Sequence, residues 1–123
     1  MLDNLPIVSV LTAIYNNEDY IISALNSVNN QTYPKEKIEH FIINDQSPGC
    51  TKNILTWLKR NNYNHQYILN ETNLGFPKTI NKFLSLCKGK YFSIISDDIW
   101  HCERIEKLVS TFERLNYKNN ALI

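Results

Sequence analysis

The stretch "IVSVLTAIYNNEDYIISALNSV" (Ile7 to Val28) decides the fold, because the spacing of its apolar residues changes midway. Ile7 to Ala13 is a β-branched run too short for a helix, and it reads as a strand buried on both faces. After Asn16 and Asn17, which suit a helix cap, Ile21, Ile22, Leu25 and Val28 recur at helical spacing. Glu18 and Asp19 fall at the positive end of that helix. "QTYP" ends it, since the residue before Pro34 avoids the helical region.

Outward from this unit the same exchange of periods repeats. Ile38 to Asp45 ("IEHFIIND") is a second strand, followed by the turn "QSPG" and by a helix carrying Ile54, Leu55, Trp57 and Leu58. "QYILN" (66–70) is a short third strand. Pro77 then suits the first turn of a helix through Ile80, Phe83, Leu84 and Cys87, with Gly89 as its stop. "KYFSIIS" (90–96) is a fourth strand, Ile105, Leu108, Val109, Phe112 and Leu115 mark a fourth helix, and "ALI" (121–123) opens a fifth strand. Four alternations of strand and helix predict an α/β domain: a mostly parallel sheet with helices on both faces and right-handed crossovers.

With 123 residues the chain makes one domain, 1–123, and no linker, repeat or low-complexity tract divides it. Thirteen Lys and Arg against twelve Asp and Glu leave no field to favour nucleic acid or an anionic membrane. Cys50, Cys87 and Cys102 lack CxxC spacing and read as reduced thiols of a cytoplasmic protein. No basic leader and no run of 18 apolar residues is present, which argues against secretion and membrane spanning and leaves peripheral membrane association open.

In a parallel sheet ligands bind beyond the carboxyl ends of the strands. Tyr15 and Asn16 follow strand one, Asp45 ends strand two, Asn73 and Gly75 follow strand three, and Asp97 and Asp98 follow strand four. Each alone is an ordinary turn former, but together they make one polar rim. Two carboxylates 4 Å apart repel by roughly 4 kcal/mol at the effective dielectric of a protein surface. A divalent cation turns that repulsion into attraction, and hard oxygen ligands suit Mg²⁺ or Mn²⁺. The alternative for Asp97 or Asp98 is the cap of the helix carrying Ile105. Asp45 can accept a hydrogen bond from the ring N–H of uracil or guanine, or open an Asx turn; Tyr15 can offer a face to a base, or be a half-buried core aromatic. GxGxxG and GxxxxGK[ST] are both absent, so neither a dinucleotide turn nor a Walker loop is available. His40, His65 and His101 show neither metal-ligand nor triad spacing.

These stretches resemble the inverting GT-A glycosyltransferases of family 2. The resemblance rests on "VSVLTAIYNNEDYIISALNSVNNQTYP", "EHFIINDQSPGCT", "NLGFPKTINKFLSLCKGKYFSIISDDIWH" and "ERIEKL", which occur in that family's order and spacing and cover nearly the whole chain. It implies a Rossmann-like nucleotide-sugar-binding domain. Ala13, Tyr15 and Asp45 would then hold the base, Asp97 the ribose, and Asp98 a Mn²⁺ or Mg²⁺ bridging the diphosphate. Asn73, Gly75, Lys78 and Asn81 would lie near the diphosphate or sugar, although a lysine at the position of Lys78 is also a common solvated residue. It further implies transfer of a sugar, from a UDP-sugar in the first place, to a glycan or glycoconjugate hydroxyl with inversion.

Two departures matter. The family's acidic motif usually runs one residue longer, so "SDDIW" leaves the ribose and metal roles open between Asp97 and Asp98. Complete members also continue into an acceptor-binding half that supplies the catalytic base, so this chain is expected to be the donor half, with little or no transfer activity by itself. The alternative is a non-catalytic nucleotide-sugar-binding module of the same fold. A sugar nucleotidyltransferase is disfavoured, because its glycine- and arginine-rich loop after strand one is missing. An open sheet edge leads us to expect self-association.

Overall fold

The computed structural model describes residues 4–116 and 118–123. Along the chain run β1 (Val8–Ile14), α1 (Glu18–Asn29), a 3-10 turn (Lys35–Lys37), β2 (Ile38–Asn44), α2 (Lys52–Arg60), β3 (Gln66–Leu69), α3 (Phe76–Leu86), β4 (Tyr91–Ile94), α4 (Arg104–Arg114) and β5 (Ala121–Leu122). The strands form one sheet in the order β3-β2-β1-β4-β5, and every pairing is parallel. β1 is central and all seven of its residues are buried, which explains its unbroken apolar run.

The pleat sends alternate residues to opposite faces. Val8, Val10, Ile14, Ile42, Tyr91 and Ile95 pack on one face against α1, α2 and α4 through Ala24, Leu25, Ile54, Leu58, Ile105 and Val109. Leu11, Phe41 and Ile43 pack on the other face against Phe83 of α3. Both faces therefore carry helices, as expected. The expected uniform crossover hand does not hold. The chain moves from β1 to β2 to β3 with α1 and α2 on one face, and back across to β4 with α3 on the other, so these three crossovers share one hand. From β4 it moves on in the same direction to β5, yet α4 returns to the face of α1. The last crossover has the opposite hand.

Other local expectations are corrected. Asn17 precedes α1 but caps nothing with its side chain; its carboxamide instead donates to the Ala13 carbonyl and accepts from the Tyr15 N–H, at 3.1 and 2.9 Å. α3 ends at Leu86 before reaching Gly89. Gly89 is needed for space: a Cβ there would lie 2.5 Å from Ser9 Oγ. Leu115 follows α4 and is exposed. β4 is shorter than the apolar run, because after Ile95 donates to the Leu11 carbonyl at 2.9 Å the chain leaves the sheet. His40 is buried inside β2 between the Thr12 and Tyr63 hydroxyls, at 2.8 and 2.7 Å. Burial, with a smaller push from His65, lowers its pKa to about 3, so it is neutral at physiological pH. No helix among the described residues is long and apolar enough to cross a membrane.

Candidate functional site

Because all strands are parallel, their carboxyl ends share one edge. β1 and β4 are neighbours there; the helices that follow them, α1 and α4, both lie on one face of the sheet, and α3 lies on the other. A cleft of about 280 Å³ lies at that place. Its walls are Ala13, Tyr15 and Asn17 after β1, Asp45 after β2, Asn73, Gly75, Phe76 and Thr79 at the start of α3, and Ser96 after β4.

Each wall is fixed by local bonding. Asn16 holds a left-handed backbone (φ 57°), and the two bonds from the Asn17 side chain close the turn around it. Tyr15 is thereby left half exposed (48%) at the mouth of the cleft, so it is no core aromatic. Asn16 N–H also donates to Ser47 Oγ at 3.0 Å, and Ser47 in turn donates to the Glu18 carboxylate. The turn after β2 is opened by Asn44, whose side-chain oxygen accepts the Ser47 N–H at 2.9 Å. Asn44, and not Asp45, is thus the turn former.

Asp45 is 4% exposed and surrounded by donors. Its Oδ1 accepts from the Leu74 N–H (2.7 Å) and Asn70 Nδ2 (2.9 Å), and its Oδ2 from the Gly75 N–H (2.9 Å) and Asn73 Nδ2 (3.3 Å). A carboxylate has about four lone-pair sites, so these four donors occupy it. Burial pushes the Asp45 carboxyl up, but the Leu74, Asn70 and Gly75 donors and the Lys82 ammonium outweigh it and hold the pKa below its usual value. Gly75 directly precedes α3 at φ 85°, a conformation that favours glycine.

Sequence reasoning missed Asn70 and Lys82. Asn70, 1% exposed, gives its amide to Asp45 and takes Lys82 Nζ on its oxygen at 2.7 Å. The signal was a polar residue closing an apolar strand, the same signal that singled out Asp45.

Of the residues expected at the site, Ala13, Tyr15, Asp45, Asn73 and Gly75 share the one cleft. Lys78 and Asn81 stand exposed on α3 and do not line it. Asp97 and Asp98 follow the wall residue Ser96 and are exposed. Neither caps α4, which begins six residues after Asp98, at Arg104. Among the described residues neither takes part in a hydrogen bond or an ion pair. No group of three or more His, Cys, Asp or Glu gathers among those residues into a closed metal cage. Two adjacent carboxylates without internal partners instead fit a hard cation that keeps its waters and takes phosphate oxygens as further ligands.

Comparison with known proteins bears on the family and the fold. The family model described as glycosyl transferase family 2 matches residues 9–122. An uncharacterized glycosyltransferase of Haemophilus influenzae is 38% identical over 114 residues, which make up 92% of this chain and 35% of that protein. The crystal structure of S. aureus TarS 1–349 in complex with UDP superposes with a TM-score of 0.77 at 29% identity, over 88% of this chain and 32% of that 1–349 chain. A mannosyltransferase of Pyrobaculum calidifontis, solved with GDP-Man and Mn²⁺, superposes at 0.80 over 90% of this chain and 33% of its own; at 20% identity it speaks for the fold alone. The parallel α/β domain, with a cleft at the carboxyl ends of its strands, thus has a GT-A-type fold. The chain belongs to glycosyl transferase family 2, and it spans about a third of the length of these relatives.

Proposed function

We propose that the cleft binds the nucleotide of a nucleoside diphosphate sugar, a UDP-sugar, and that the chain is the donor-binding part of an inverting glycosyltransferase. The observation that carries the proposal is the convergence of Tyr15, the loop held by Asp45, and the unpaired Asp97–Asp98 on one edge of the sheet. UDP and UDP-GlcNAc are what TarS binds in its crystal structures. Three free thiols suit a reducing compartment, the cytoplasm.

In this reading Tyr15 stacks on the base beside Ala13. Asp45 acts from beneath: by holding Leu74 and Gly75 it sets the loop and the start of α3 against which diphosphate and sugar lie, near Lys78. A base N–H reaches Asp45 only by displacing Asn73, its longest contact. Asp97 takes the ribose and Asp98 holds Mn²⁺ or Mg²⁺. When bound, the cation supplies Lewis-acid stabilisation of the charge on the departing diphosphate. The bond from sugar carbon to diphosphate oxygen breaks as a bond to the acceptor oxygen forms on the opposite face, and a general base takes the hydroxyl proton. Among the described residues lining the cleft Asp45 is the sole carboxylate and is occupied, so that base is assigned to no residue here. The same fact favours, as a second reading, a module that binds nucleotide sugar without turning it over.

A thermal-shift panel of UDP, GDP, TDP and CDP, each with and without Mn²⁺, tests the proposal. UDP with Mn²⁺ is expected to give the largest rise in Tm. Equal response to all four, or to none, contradicts it.

A further inference from the structure

The acidic loop poses a mechanical problem. Between Ile95, which makes the last sheet bond, and His101 lie five residues, Ser96 to Trp100, without secondary structure. They carry both carboxylates, and Ile99 among them is 74% exposed. The loop leads into α4, the helix whose crossover takes the hand opposite to the other three. A β-α-β crossover is right-handed in about 98% of cases, so a departure from the common hand calls for a specific restraint.

At this point Gln31 ties the start of α4 to the end of α1. It is buried (7% exposed) just past the end of α1, and both N–H groups and the oxygen of its carboxamide are bonded. Nε2 donates to the carbonyls of Ser27 and His101, at 3.0 and 2.8 Å, while Oε1 accepts the Ile105 N–H at 2.9 Å. The Ile105 N–H is a first-turn donor of α4 with no partner inside the helix, and Glu103, the residue before α4, provides no side-chain cap. Gln31 therefore caps α4 from another element and pins the far end of the acidic loop in the same act. The Thr32 N–H adds a bond to the Cys102 carbonyl at 2.8 Å. Two donors and an acceptor are needed at this point, a set that neither a carboxylate nor an apolar side chain offers.

We infer that Gln31 is the positioning residue for Asp97 and Asp98: it fixes where the loop ends and so how Asp97 faces the ribose and Asp98 the cation. The inference deepens the donor-site proposal and rests on it for the ligand, but the tether itself can be read without ligand. Trp100 sits inside the loop, with the Arg104 guanidinium 4.7 Å from its ring centroid, and reports on it once Trp57 is replaced by Phe.

In that background, Gln31→Leu removes every bond of the carboxamide, and Gln31→Glu keeps the acceptor while losing the donors. Val109→Ala serves as a control, loosening the packing of α4 without touching the tether. Acrylamide quenching of Trp100 should rise at least twofold in both Gln31 variants and by clearly less in the control, although Val109 belongs to the cluster on which Trp100 packs. Mn²⁺ binding in the presence of UDP, followed by electron paramagnetic resonance, should weaken tenfold or more in the Gln31 variants. If Gln31→Leu does not fold, Gln31→Glu carries the test. If the unsubstituted Gln31 protein binds neither UDP nor Mn²⁺, the donor-site proposal fails, and the tether is then judged on quenching alone. Unchanged quenching in a folded Gln31 variant, or an equal change in Val109→Ala, overturns the inference.

Discussion

Asp45 and the Asp97–Asp98 pair stand at the same edge of the same sheet, but they are bonded in opposite ways. Asp45 is buried and holds four donors of its own chain. Asp97 and Asp98 are exposed and, among the described residues, hold none. The difference teaches that a carboxylate at a ligand-binding edge is read by counting its donors: one already occupied builds the site, and one left open is available to something from outside.

Asp45→Ala is where the contrast should break most visibly. It orphans the Leu74 and Gly75 N–H groups and the Asn70 amide, and the expected loss is roughly 3 kcal/mol in urea unfolding. A loss under about 1 kcal/mol would mean that the loop does not depend on Asp45. The same bonding predicts an acid limb. The folded carboxyl lies below its unfolded value, so its contribution is present above about pH 4 and is lost as pH falls through the lowered folded value. Asp45→Asn should flatten that limb.

A second, earlier acid limb belongs to His40. It is neutral when folded, with a pKa near 3 against 6.5 unfolded. Below about pH 6.5 the unfolded chain binds a proton that the folded one refuses, so stability falls as pH drops from 6.5 toward 3. His40→Gln should remove the slope between pH 6 and 4.5 while leaving the lower limb of Asp45; a slope unchanged by that substitution would assign it elsewhere. The smallest effect sharpens the comparison from its other side. Asp98→Asn touches no internal partner, and unfolding should move by less than about 0.5 kcal/mol, a figure that urea titration beside Asp45→Ala checks directly.

Much of the fold was legible because the period of burial changes cleanly, from the wholly buried β1 to α1 with its buried Ile21, Leu25 and Val28. The rim of polar residues was legible too, since strand ends in a parallel sheet must share an edge. What escaped was set by partners distant in sequence. The seating of α4 on the face of α1 involves Gln31 meeting His101 and Ile105, 70 and 74 positions away. The bonding of Asp45 depends on Asn70, Leu74 and Gly75, which no local pattern connects to it. Gly89 looked like a helix stop because its need for space comes from Ser9, on another strand.

Calorimetric titration of UDP into the protein with Mn²⁺, without it, and with Asp98→Asn tests the central claim most directly. The account predicts binding with Mn²⁺ that weakens at least tenfold when either the metal or the Asp98 carboxylate is removed. Identical heats in all three titrations, or none in the first, would contradict it.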